Sequence, residues 1–270
     1  MHEDKLVSQL SAQGVSSPLL GSGCWSVDVA KKQSITLERD ARADMVLIGR
    51  ASGDGSHVEL TLEPYSRLNI VELIDSEGAH CQLRLSLKEG AECTMTQVVT
   101  ASSTARVEAS LDGRFARFEL GGAFMLSAKE RGSIQVDVKH NASDCSSRTT
   151  YKGVASESAV GKFSGLVYVA PDAQRTDSEQ LSRNITLGSA RIETLPQLEI
   201  YADDVKCSHG ATVGQMDDEA VLYMRQRGLS LATAKRLQIE GFVSDVVLRS
   251  GVENCREVLL EALESKLEKL

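Results

Sequence analysis

Short runs in which apolar and polar residues alternate fill most of the chain between residues 24 and 206. They include SITLE (34–38), DMVLIG (44–49), HVELTLE (57–63), RLNIVELI (67–74), CQLRLSL (81–87), RVEASL (106–111), SIQVDVKH (133–140) and QLEIYAD (197–203). Successive side chains of a strand point to opposite faces, so each run predicts a strand with one face buried. More than a dozen such strands could build a sandwich, a jelly roll or a solenoid, and the connections decide between them. Tight hairpin signals are sparse: Asp54-Gly55 and Asp112-Gly113 are the only pairs of the Asp-Gly or Asn-Gly type. Continuous winding in one direction suits that pattern, with turns of roughly 20 to 25 residues as in other solenoids. No strict internal repeat stands out, and the pattern alone leaves solenoid and sandwich both open.

The pattern changes after residue 215. MDDEAVLYMRQR (216–227) has Asp217 and Asp218 in a first turn that favours carboxylates, and Gly228 follows as a stop. Ser230 can cap a second helix, in which Leu231, Ala234, Ile239, Phe242, Val243, Val246 and Val247 recur at helical spacing as far as Gly251. A third runs from Val252 to Leu270. These helices form either a cap over the open end of the β stack or a docking module. Before the strands, only residues 1 to about 13 have helical character. Three regions follow: a short N-terminal segment (1–23), a β core (24–215) and a helical C-terminal domain (216–270).

Composition narrows the function. The 270 residues are 41% hydrophobic, enough for a sizeable core, and the formal net charge is -8. Lys and Arg are scattered rather than gathered into a stripe, which argues against nucleic acid as a partner. No run approaches the roughly 20 apolar residues of a membrane span. The N-terminus has Glu3 and Asp4 where an export signal needs basic residues. A cytoplasmic location is therefore expected, with the six cysteines, none in a CxxC pair, as reduced thiols.

Cys207-Ser208-His209 is the segment with the most chemistry. Positions i and i+2 of a strand share a face, so Cys207 and His209 could converge on one ion. Two ligands do not complete a site, and the other histidines (His2, His57, His80 and His140) show no matching spacing. A Cys-His nucleophile oriented by Asp203 or Asp204 is the enzymatic alternative, but no oxyanion-hole signature accompanies it. An ordinary loop is the third. GKFSG (161–165) lies inside a strand pattern and no GxxxxGK[ST] occurs, so no nucleotide is expected to bind this chain. A β-helix carbohydrate-binding protein would need stacking aromatics, and aromatic residues make up only 4%.

The stretch from YKGV (151–154) through GKFSGLVYVAPDAQRTDSEQLSRNITLG (161–188) to PQLEIYADDVKCSHGATVG (196–214) and YMRQRG (223–228) resembles the SufB/SufD family of iron–sulfur cluster assembly proteins, and within it the SufD branch. The resemblance implies a mainly β fold, a right-handed parallel β-helix followed by a small helical domain. It implies a non-catalytic scaffold whose β-helix pairs with a SufB-like subunit and whose C-terminal helices hold a SufC-like ABC ATPase. An iron–sulfur cluster would form transiently at the β-helix interface. His209 falls on the histidine that SufD contributes there and is the candidate iron ligand, with Cys207 as a nearby auxiliary thiol. SufB contributes a cysteine from a Gln-Cys-Asp segment, and Leu181-Ser182-Arg183 stands in its place here. A hard hydroxyl is a poor substitute for a thiolate, so the chain reads as the partner of a SufB-like subunit, or else as a self-pairing homodimer that uses another ligand.

Overall fold

The computed structural model describes residues 2–28, 32–48 and 56–270. Strands alternate between two sheets, so that each strand pairs in parallel with the next but one in sequence. One sheet holds β1 (Gln13–Gly14), β3 (Gly23–Asp28), β5 (Arg42–Ile48), β7 (Arg67–Ile74), β9 (Glu92–Val99), β11 (Arg117–Leu126), β13 (Ser146–Ala155), β15 (Thr176–Thr186) and β17 (Val205–Gly214). The other holds β2 (Leu19–Leu20), β4 (Gln33–Leu37), β6 (Ser56–Leu62), β8 (Ala79–Leu87), β10 (Ser103–Leu111), β12 (Arg131–His140), β14 (Val160–Val169) and β16 (Arg191–Ile200). The chain is thus a parallel β-solenoid with two strands per turn. The Asp112-Gly113 pair makes a corner between sheets rather than a hairpin, and Asp54-Gly55 lies outside the described residues.

The early turns keep to the expected 20 to 25 residues, and the later ones exceed it. Asp44 and Asn69, ladder partners on β5 and β7, are 25 residues apart, whereas Arg148 and Glu179 on β13 and β15 are 31 apart. The later turns grow because their strands lengthen to ten and eleven residues. A repeat does exist, at one corner. Ala41, Ser66, Ala91, Ala116, Cys145 and Thr176 all turn inward and are buried. Each is preceded by a residue with a left-handed backbone: Asp40, Tyr65, Gly90, Phe115, Asp144 and Arg175. That conformation reverses the chain within a few residues, and the small residue after it fits the narrow end of the core. Because only one of the six left-handed positions is glycine, composition hides the repeat.

Inside the winding, Ile70, Met95, Leu120, Phe124, Phe163, Val107 and Val136 belong to one continuous apolar cluster. A second cluster lies outside, on the nine-stranded sheet. There Val46, Ile48, Val71, Leu73, Val98, Ala123, Met125 and Val154 pack against the helices α1 (His2–Leu10), α3 (Leu231–Leu248) and α4 (Arg256–Leu267). The second halves of β5, β7, β9, β11 and β13 are therefore buried on both faces, which is why MVLI (45–48) is an unbroken apolar run and Glu72 alone interrupts IVELI (70–74). At Gly121 the helix comes so near that a Cβ would stand 3.2 Å from Val246 Cγ1. Lys152 Nζ donates to Asp245 at 2.8 Å and lies over the Phe242 ring, fixing α3 to β13. The helices do not cap the solenoid's open end; they lie along its flank.

Helix α2 (Asp218–Gln226) touches the body only through its neighbour α3 among the closer contacts. Asp217 caps it by accepting from the backbone N–H groups of Glu219 and Ala220, and Gly228 ends it with φ 93°. Ser230 caps α3 through the N–H of Thr233, as its position predicts. The third predicted helix is broken near its start: Glu253–Cys255 form a 3₁₀ turn before α4.

Candidate functional site

Cys207 and His209 lie on β17, the last strand of the nine-stranded sheet. Cys207 is in register with Ser178, and His209 with Gln180. Ser178 and Gln180 turn inward and are buried, so their partners on β17 share the inward face. Among the described residues no strand pairs beyond β17, and Cys207 is half-buried while His209 is exposed. The Cys207 side chain packs against a small cluster of Val167, Val169, Ala173 and Ala202. Burial pushes its thiol up from the usual value, a backbone hydrogen bond at Ser178 pulls the other way, and Asp177 adds to the rise.

The interior changes character as it nears this end. One inward row reads Ile70, Met95, Leu120, Thr149, Gln180, His209 from turn to turn. The adjacent row reads Leu68, Cys93, Phe118, Ser147, Ser178, Cys207. Both pass from apolar to polar at β13. Ser147 Oγ bonds Ser178 Oγ at 2.8 Å and His140 Nε2 at 2.8 Å, and burial holds His140 down to about 4. His140 is therefore neutral at ordinary pH. On β15 four successive inward residues, Ser178, Gln180, Ser182 and Asn184, are polar and buried. Sequence patterning passed over this row, although TDSEQLSRN (176–184) signals it: its inward positions carry no apolar residue.

Ser182 is fully buried, and its hydroxyl accepts from Asn184 Nδ2 at 3.0 Å. Asp203 and Asp204 stand in the turn before β17. The Asp204 backbone is tied there, its N–H donating to Gln174 Oε1 and its carbonyl accepting from the Arg175 N–H. No hydrogen bond joins either aspartate to His209 among the described residues, so the Cys-His-Asp arrangement is not assembled. Among the described residues no three His, Cys, Asp or Glu side chains converge on a metal-sized site. Cys207 and His209 can offer at most a thiol and an imidazole, both suited to iron, and a full ligand set would need groups from another molecule.

The rim of the open end is apolar. Leu195, Ile200, Tyr201 and Val213 are exposed, and the Tyr201 ring packs against Tyr168 at 5.6 Å between centroids. A second exposed apolar set, Leu222 and Tyr223 on α2 with Leu231 and Leu237 on α3, lies on the helical side. No helix among the described residues is long and apolar enough to cross a membrane.

The family described as SUF system FeS cluster assembly, SufBD core domain, matches residues 26–242. The iron-sulfur cluster assembly protein SufD of Escherichia coli (strain K12) is 35% identical over 158 residues, which are 58% of this chain and 37% of that protein. A SufBD family protein of Synechocystis sp. is 32% identical over 214 residues, 79% of this chain and 43% of its own length. One from Mycobacterium leprae is 28% identical over 241 residues, covering 83% and 61%. The chain thus spans between about a third and three fifths of the length of these relatives.

Proposed function

The chain belongs to the SufBD family of the SUF iron–sulfur cluster assembly system, and from that premise we propose that it is a SufD-like scaffold subunit in a cytoplasmic assembly complex. The observation that carries this reading is the bare final turn, where Cys207 and His209 are presented on an edge strand ringed by exposed apolar residues. An edge strand with unpaired N–H and C=O groups is a template for another strand. A SufB-like solenoid docked there supplies the missing thiolate, since Ser182 is sealed inside and has no sulfur. Iron and sulfide are the complex's cargo, held between subunits rather than by this chain alone.

The helical side takes the second role. Residues 216–270 dock a SufC-like ABC ATPase through the exposed face of α2 and the start of α3, and the nucleotide stays with the ATPase. Helix α3 rests on β11 and β13 and is tied to β13 by the Lys152–Asp245 pair. Movement of the helices is thereby delivered to a strand two positions from β17 in the sheet. The same bare end also favours a second reading, a homodimer of this chain, because the exposed rim would serve a second copy equally.

Anaerobic purification of the tagged chain from its host tests the proposal. Recovery with a SufB-like protein, a SufC-like ATPase and iron supports it; an iron-free chain that never binds such an ATPase overturns it. Within the complex, His209→Ala is expected to leave assembly of the subunits intact and to lower iron and sulfide content together. Unchanged cluster yield would remove His209 from the chemistry.

A further inference from the structure

We propose that Gln180 is the positioning residue for His209, its carboxamide oxygen accepting the ring N–H of the inward nitrogen across one water, so that the outer nitrogen keeps a free lone pair. The proposal rests on the reading of His209 as a ligand and deepens it. Its starting point is a residue the fold has no use for. Gln180 is 1% exposed, and neither Oε1 nor Nε2 of its amide has a hydrogen-bond partner. Leaving a buried polar group unsatisfied is costly, and each such group in a natural protein calls for an explanation. A methionine occupies the equivalent place three turns back, at Met95, without difficulty.

The neighbourhood has been shaped around that amide. Across the core, Gly165 leaves the space it fills: a Cβ there would stand 2.3 Å from Gln180 Nε2 and 2.8 Å from Oε1. Any side chain at 165 would expel it. The next inward group along the row is the imidazole of His209, the ladder partner of Gln180. Neighbouring strands are about 4.8 Å apart, a gap that one water bridges while the amide keeps its place beside Gly165. A ligating histidine commonly donates its other ring N–H to an acceptor, which fixes both tautomer and ring orientation. Nε2 is the ring nitrogen farther from the backbone and so the one offered to a ligand beyond the edge strand, which leaves Nδ1 to carry the proton and the bridged Gln180 oxygen to receive it. A histidine in water prefers the opposite tautomer, which makes the arrangement measurable.

The experiment is nitrogen-15 NMR of the full-length chain labelled at histidine, at a pH where the rings are neutral, with His209 identified by its loss in His209→Ala. The wild-type ring is expected as the Nδ1–H tautomer. Gln180→Met, which removes the acceptor at similar volume, should shift it to the Nε2–H form while the melting temperature holds or rises. Gln180→Leu also removes the acceptor and should give the same shift, so the test survives even if the methionine variant folds poorly; Gln180→Glu keeps an acceptor oxygen and should hold the Nδ1–H form. A wild-type ring already in the Nε2–H form, or one whose tautomer ignores the loss of the acceptor, overturns the proposal. So does a Gln180→Met variant that loses stability with the tautomer unchanged, since that marks a purely structural glutamine. A tautomer set by Gln180 in a chain whose complex carries no iron would uphold the positioning and sink the scaffold reading; iron that depends on His209 but a tautomer indifferent to residue 180 would do the reverse.

Discussion

Glu72 is the residue whose placement costs the fold most visibly. It points into the solenoid at 2% exposure, where its carboxylate accepts from Gln97 Nε2, and Gln97 Oε1 in turn accepts from the Tyr151 hydroxyl. Gly122 lies between Gln97 and Tyr151 in the ladder because a Cβ there would fall 2.2 Å from the ring. Burial pushes the Glu72 carboxyl up to about 7, against the pull of the Gln97 hydrogen bond. The sign follows from which state holds the proton. Below the unfolded value both states are protonated and the fold pays nothing; as pH rises, the unfolded chain ionises first, and stability falls until the folded carboxyl ionises near 7. The loss is on the order of 3 kcal/mol by pH 8. Glu72→Gln is expected to match wild type in urea unfolding at pH 4.5 and to exceed it by a margin of that order at pH 8. Parallel curves for the two proteins across that range would show that Glu72 does not titrate in the core.

At the level of elements, the helices are part of the solenoid's core and not an appendage. Leu259 is fully buried within the cluster that joins α4 and α3 to the outer face of the nine-stranded sheet. Leu259→Ala should cost about 2 to 5 kcal/mol, lowering the single unfolding transition of helices and strands together. Two separate transitions by helical and sheet-sensitive probes would show instead that the helices fold alone. The sequence foretold the strands, the caps at Asp217 and Ser230 and the stop at Gly228, because those depend on local spacing and local hydrogen bonds. It did not foretell where the helices lie. The cue was present in the apolar ends of DMVLIG and NIVELI, broken only by Glu72, but a run with both faces buried looks the same whether a sheet or a helix covers it. The corner repeat was hidden for a related reason: Asp40, Tyr65, Phe115, Asp144 and Arg175 share a backbone conformation and no side-chain chemistry. Of the site, Cys207 and His209 were legible as a pair on one face, whereas the polar row beneath them needed the inter-turn register, which no single strand contains.

The whole molecule is asymmetric along its axis, and that asymmetry bears on assembly. The flank of the nine-stranded sheet is partly covered by helices, and the outer face of the eight-stranded sheet carries paired charges such as Arg84 with Glu108 and Arg106 with Asp137. The end at β16 and β17 has neither protection. It presents Ile200, Tyr201 and Val213 beside two unpaired strand edges, and natural proteins rarely leave an edge in that condition unless something pairs with it. The isolated chain should therefore self-associate through this end, in competition with the partner subunit proposed above. Sedimentation of the purified chain at rising concentration is expected to show a monomer–dimer equilibrium. Val213→Lys places a charge on the edge strand at a position 46% exposed in the monomer, so it should abolish the dimer while shifting monomer stability by less than about 0.5 kcal/mol. A wild-type chain that remains monomeric at every concentration, or a dimer that survives the lysine, would mean that contacts form elsewhere. The helical face carrying Leu222 and Tyr223 would then be the surface to examine, and the case for β17 as the assembly edge would have to rest on Cys207 and His209 alone.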